Sequence, residues 1–187
     1  MPNDVNAKNV TTGKPKITGA VFNAPIGTAI PTDATTALNE AFVCVGHITE
    51  DGVENSQELS ITPIKVWGGL VVYNPINEFN DNFSFAMAEA LNVNAMKAYY
   101  GDDNVITDNN GNITVKVGAH DMPERIWVIE NVLRDGRARR LVLPNAQVME
   151  REPITYKDDE VLAYGITLSA MQDDSGETHY EYTEAAS

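Results

Sequence analysis

The run Asn82-Phe83-Ser84-Phe85-Ala86-Met87, followed after Leu91 by Asn92-Val93-Asn94-Ala95-Met96-Lys97-Ala98-Tyr99-Tyr100-Gly101, changes its period midway. In the first part Phe83, Phe85 and Met87 share one face while Asn82, Ser84 and Ala86 share the other, the period of two that defines a half-buried strand. In the second, Leu91, Ala95, Ala98 and Tyr99 recur at helical spacing, with Asn92 suited to the N-cap and Gly101 to the C-cap. A helix over Val93–Tyr100 is only about two turns long and requires a sheet beneath it for stability.

The flanking sequence keeps a strand and turn rhythm. Upstream, Phe42, Cys44 and Ile48 alternate with Val43, Val45 and His47 before an Asp51-Gly52 turn, and Leu70–Tyr73 forms a further strand. Downstream come Ile113–Val117, Ile126–Leu133, Arg139–Leu143, Ala146–Glu150, Leu162–Ala170 and Thr178–Thr183, separated by Asn110-Gly111, Asp135-Gly136 and Asp173-Asp174-Ser175-Gly176. The expected fold is mainly β: two packed antiparallel sheets, a β-sandwich or partly opened barrel, with one short flanking α-helix. Residues 1–39, rich in Thr, Pro, Asn, Gly and Ala, show no sustained period and read as an extended arm that orders only against something else. The body then spans 40–187. Within it, 50–66 contains the polar stretch Val53–Thr62, read as a long loop leaving the body, and long loops in compact domains are usually functional.

Composition narrows the function. The chain has 187 residues and carries 27 acids against 13 bases, a formal charge of −14, which disfavours gripping nucleic acid through phosphate contacts. Its single cysteine, Cys44, excludes an intramolecular disulfide. No run reaches the roughly 20 apolar residues of a membrane helix, and the N-terminus lacks the build of a secretory signal, so a soluble, non-exported protein with no membrane binding of its own is expected. His47, His120 and His179 have no nearby cysteine, and no histidine pair stands at zinc-ligand spacing. Phosphate-cradling loops and a nucleophile elbow are likewise missing. The sequence thus offers no catalytic residue, metal ligand or cofactor site. Charge is unevenly distributed, however. Arg125, Arg134, Arg137, Arg139 and Arg140 face only Glu130 and Asp135 in 125–140, whereas 146–187 carries ten acids against Arg151 and Lys157. Such segregation suits a contact in which the basic hairpin of one subunit meets an acidic face of the next.

Five motifs in order carry a family resemblance: Glu50-Asp51-Gly52-Val53; Ile64-Lys65-Val66-Trp67-Gly68-Gly69; Asn94–Val105 with Tyr99-Tyr100-Gly101; Leu143-Pro144-Asn145-Ala146-Gln147-Val148; and Ile166-Thr167-Leu168-Ser169-Ala170 with its Asp-rich turn and Tyr180. Together they resemble the major tail protein, or tail tube protein, of long-tailed bacteriophages, especially those infecting actinobacteria. Met171-Gln172 departs from the aromatic and proline expected before that turn. The resemblance implies a structural virion protein whose hexameric rings stack into a hollow, non-contractile tube that passes genomic DNA. It further implies contact with a tape measure protein and with tail terminator and tip proteins, and assembly in the host cytoplasm. On this reading Val21, Phe22, Val53, Ile61, Ile64, Trp67, Arg137, Arg139 and Arg140 are the candidate subunit-interface residues, with Trp67 and Trp127 as aromatic anchors or core residues. Asp158, Asp159 and Glu160 are the candidate acids facing the DNA, since a basic bore would bind phosphates and stall transit.

Overall fold

The computed structural model describes residues 5 and 7–186. Thirteen strands and one α-helix follow one another: β1 (Gly13–Pro15), β2 (Val21–Pro25), β3 (Val43–Cys44), β4 (Ile48–Ile61), β5 (Ile64–Lys65), β6 (Val71–Tyr73), β7 (Ile76–Met87), α1 (Val93–Tyr100), β8 (Val105–Thr107), β9 (Ile113–Val115), β10 (Arg125–Leu133), β11 (Ala138–Arg151), β12 (Tyr164–Ala170) and β13 (Tyr180–Thr183). The principal sheet runs β3-β2-β10-β11-β12-β7-β4, antiparallel at every step. β1 extends it beside β10, and β13 beside β11.

The long strand β11 belongs to both layers. Its first part pairs with β13 over 139–142 and with β10 as far as Ala146 opposite Arg125, across a bulge between Leu143 and Ala146, while Ala146–Arg151 pairs with β12. Pro144 sits in that bulge, where a missing N–H costs the ladder least. Although β7 and β10 are separated by two strands in the sheet, the Phe85 and Trp127 rings meet edge to face with centroids 5.8 Å apart. The sheet therefore folds over on itself, and the core is the space between its two halves. Phe83, Phe85 and Met87 enter it from β7, Ile166 and Leu168 from β12, Trp127 and Ile129 from β10. The alternation in 82–87 and 162–170 thus marks the core face, as its period requires.

α1 has the caps expected of it, but Leu91, expected in its buried stripe, precedes the helix and is 85% exposed, and Met96 is buried in its place. Asn92 Oδ1 accepts from the Asn94 N–H at 2.9 Å, and the Gly101 N–H donates to the Lys97 carbonyl at 2.9 Å. Ala95, Met96, Ala98 and Tyr99 are buried against the main core. Tyr99 packs on Tyr164 and donates its hydroxyl to the Glu152 carbonyl at 2.8 Å, tying the helix to the loop that leaves β11. Burial raises the pKa of Tyr99, Tyr100 and Tyr164.

Three expectations need correction. The segment 1–39 is not, over its described length from Gly13, an arm waiting for a partner: β1 and β2 are strands of the chain's own sheet. The β10 run is apolar on both faces, so Ile126 and Val128 need a cover. Ala24, Phe42, Ile30 and Leu38 supply it as a second, smaller core. Second, 50–66 is not a loop. β4 pairs in continuous register from Val53 to Ser60 along β7 and, after a slip, at Ile61, and Asp51-Gly52 is a bulge within it rather than a turn, with Gly52 at φ 74° and the register slipping between Ile48 and Val53. Third, Arg139–Leu143 and Ala146–Glu150 are one strand.

Candidate functional site: a free hairpin and its anchored root

β12 ends opposite Asp81, so from Gln57 and Asp81 outward β4 and β7 have only each other as neighbours. Every residue from Glu54 through Asn74 is exposed. Roughly ten residues per strand at about 3.3 Å each carry the hairpin some 35 Å from the body. Pro63 and Pro75 interrupt the ladder at the same level, because neither can donate a hydrogen bond. Pairing then resumes as Ile64 opposite Tyr73 and Lys65 opposite Val71. The Val66–Leu70 turn closes the tip, its Gly68 and Gly69 at φ 98° and 88°, a conformation that L side chains resist.

The tip is apolar on both faces. Leu59, Ile61, Ile64, Val66, Leu70, Val71, Val72, Tyr73, Ile76 and Phe79 are all exposed, and Trp67 is 104% exposed, uncovered by any of the described residues. An apolar surface this continuous on a projecting element marks a contact with another molecule. The shaft below it carries Glu54, Glu58 and Glu78, whereas the only charge between Thr62 and Ile76 is Lys65.

The root is held by a buried carboxylate. Asp81, 1% exposed, accepts from Asn55 Nδ2 at 2.7 Å across the hairpin and from Thr178 Oγ1 at 2.6 Å, with His179 Nδ1 2.5 Å away. His179 also stands edge-on to the Phe83 ring, centroids 5.1 Å apart. The two sides of the hairpin and the segment entering β13 are therefore bound to one acid inside the protein, where such bonds are strong.

Of the residues expected at a subunit interface, Ile61, Ile64 and Trp67 are brought together at the tip. Val53 is half-buried at the root, against the main core. Val21 and Arg140 are corrections: both lie inside the chain, Val21 at 0% and Arg140 at 1% exposure, and are not available to a neighbour. Arg140 Nε donates to Glu130 Oε1 at 3.0 Å and Nη1 to the Asp33 carbonyl at 2.8 Å, while Lys16 Nζ holds the other Glu130 oxygen at 2.8 Å. Phe22 is half-buried beneath the second core. Arg137 pairs with Asp135 and Arg139 with Glu181. Of the basic hairpin and the acidic C-terminal region, Arg139 and Glu181 meet within one chain, because β13 pairs with β11. Asp158, Asp159 and Glu160 lie exposed between β11 and β12, Glu160 paired with Lys157 at 2.6 Å. Trp67 and Trp127 divide cleanly, the one exposed and the other 1% exposed in the core.

Sequence reasoning missed the strand character of 53–61 and with it Leu59, Val71, Tyr73, Ile76 and Phe79. A signal was present: Val53, Leu59 and Ile61 alternate with Glu54, Glu58 and Ser60, and two X-Pro steps frame a Gly-Gly turn.

Among the described residues no group of three His, Cys, Asp or Glu is placed to hold a metal ion, and no helix is long and apolar enough to cross a membrane. A cleft of about 600 Å³ beside Lys14, Leu133 and Arg134 gathers no nucleophile with a base. Similarity places the chain among known proteins. It resembles in fold the anti-feeding prophage cap, the tube-terminating cap, seen by cryo-EM, with a TM-score of 0.50 at 10% identity over 96% of this chain and 99% of that one. No curated protein matches it. The family model for "Phage tail tube protein" matches residues 6–186, nearly the whole length over which the sheet and hairpin are built, and the chain therefore belongs to the phage tail tube protein family.

Proposed function

We propose that copies of this chain form hexameric rings that stack into the hollow, non-contractile tail tube of a long-tailed phage, the conduit for its genomic DNA. Family membership supports a structural tail role. The observation that carries the reading is the hairpin: a strand pair free of its own body beyond Asp81, ending in an apolar tip with no partner among the described residues. An isolated monomer has no use for such a surface, and it is an aggregation hazard unless an identical copy covers it. The open outer edge of β4 adds unpaired backbone groups along the same element, which a neighbouring subunit would satisfy. A charge of −14 keeps free subunits apart until assembly begins and keeps a bore formed from them from gripping phosphates. The tape measure protein and the tail terminator and tip proteins are the expected partners at assembly, in the host cytoplasm, and the finished tail is the expected location.

Negative-stain electron microscopy of the purified protein, alone and with a tail-tip initiator, tests this. Rings of six and tubes are expected. A protein that stays monomeric at every concentration and with every initiator overturns the proposal.

A further inference from the structure

The loop 108–112, which joins β8 to β9 beyond the pair Thr107 and Ile113, contains the chain's only Asn-Gly step, Asn110-Gly111. Both residues are exposed. Closure of the loop depends on Asp108. The Gly111 N–H donates to the Asp108 carbonyl at 3.1 Å, while the Asp108 carboxylate accepts from the Asn110 N–H and the Asn112 N–H, each at 2.8 Å, and from Asn112 Nδ2 at 2.7 Å. Gly111 leaves the turn at φ 84°, and nothing lies within 4 Å of the position a Cβ would take there. The Asn110 amide is unheld by comparison. Among the described residues its side chain has no hydrogen-bond partner, whereas Asn55, Asn92, Asn94, Asn104 and Asn145 each donate theirs. Asn109 shares the turn, but the nitrogen that follows it belongs to Asn110, whose N–H is bound to the Asp108 carboxylate and whose own side chain crowds the approach.

We infer that Asn110 is a site of spontaneous conversion to aspartate and isoaspartate, and that Asp108 is the clasp that sets its rate. The chemistry needs only water. Hydroxide takes the Gly111 N–H proton, and the freed nitrogen attacks Asn110 Cγ. A carbon–nitrogen bond forms, the side-chain carbon–nitrogen bond breaks, and ammonia leaves with a proton from water, closing a cyclic imide. Water then adds to either imide carbonyl and reopens the ring, so the amide and water become a carboxylate and ammonium with no change of oxidation state. Glycine at 111 puts no side chain in the path of that nitrogen. Its hydrogen bond to Asp108 keeps the N–H engaged, so attack waits for the turn to open. Bonds from the Asn112 side chain and backbone hold the Asp108 carboxyl below the ordinary carboxylate range, and the clasp therefore stays charged in the neutral and alkaline solutions where hydroxide is available. The product places a second carboxylate beside Asp108, where like charges repel, and its isoaspartate form lengthens the main chain by a methylene. Val105, Ile113 and Val115 of the flanking strands pack in the main core, so the conversion loosens a segment that faces the interior.

Peptide mass mapping of the full chain aged in mildly alkaline buffer tests this, with electron-transfer fragmentation to tell isoaspartate from aspartate. The peptide containing residue 110 is expected to shift from the amide to the acid mass, in proportion to hydroxide, before any other asparagine peptide does. Asp108→Ala is expected to speed the shift at least about threefold, because a side-chain cap of this kind holds its turn closed by a factor of a few or more. Asp108→Asn, which keeps a neutral acceptor, is expected to speed it less, and Asn110→Ser to abolish it. Hydrogen exchange in 105–115 should quicken in the aged protein relative to Asn110→Ser aged alongside it. An Asn110 that keeps its amide while another asparagine converts, or an Asp108→Ala rate equal to that of the unsubstituted chain, overturns the inference.

Discussion

Replacing Trp67 by alanine separates folding from assembly in one substitution. The side chain is 104% exposed, so its removal costs the monomer no contact. Monomer stability should change by no more than about 0.5 kcal/mol, the range of surface substitutions. For a chain of this size that is a melting shift of roughly 1–2 °C. Assembly should respond very differently. A tryptophan ring covers about 150–250 Å² when buried, which at about 25 cal/mol per Å² bounds its contribution near 4–6 kcal/mol. Truncating an aromatic anchor in measured interfaces costs about 2–4 kcal/mol, which at 1.4 kcal/mol per decade weakens each contact roughly 30- to 700-fold. Thermal melting by circular dichroism and the critical concentration for tube formation by sedimentation read the two effects separately. A melting temperature lowered by 5 °C or more would show that Trp67 packs on its own chain. An unchanged critical concentration would remove the tip from the interface.

Other consequences concern the groups that hold the hairpin and the N-terminal strands in place. Arg140→Ala leaves Glu130 buried with only Lys16 beside it, and breaking a buried pair in this way is expected to cost about 3–5 kcal/mol of stability, read by urea unfolding. A loss below 1 kcal/mol would mean water reaches the pair. Asp81→Ala strips Asn55, Thr178 and His179 of their common acceptor, at about 1–3 kcal/mol. Hydrogen exchange should then quicken together in 55–61 and 171–183, and protection retained in either segment would argue against a shared anchor. Stability should also fall in acid. Side-chain bonds from His47 and Asn92 lower the pKa of Glu89, a bond from Tyr180 lowers that of Asp173, and bonds from Thr36 and Thr35 lower that of Asp33. Each carboxylate is held below its unfolded value, so its contribution is full above the ordinary carboxylate range and disappears as pH falls through the lowered folded value. A pH titration of the melting temperature should be flat above about pH 5 and decline below it; a rise on acidification would refute the assignment.

What could be read from residues alone was local. Asn92 and Gly101 bound a helix because their side chain and backbone freedom satisfy the helix ends wherever the helix lies. Phe83, Phe85 and Met87 announced a core face because a strand alternates whatever it pairs with. The lack of a nucleophile, metal or phosphate motif likewise needed no fold. Tertiary structure decided the rest, because period two specifies a face and never a neighbour. Val21 and Phe22 looked unattached until β10, about a hundred positions later, proved to be buried on both sides and in need of a flanking strand. The stretch 53–61 read as loop because both faces of β4 are exposed there, which leaves no solvent contrast to impose a strong hydrophobic alternation. The arginines of 125–140 looked free for a partner, but Arg137 and Arg140 find acids within the β10–β11 hairpin, and only the pairing of β13 with β11 brings Glu181 to Arg139 from the far end of the chain. Composition set the charge and local period set the elements, but which surfaces remained uncovered for another copy depended on contacts far apart in sequence, which no single segment encodes.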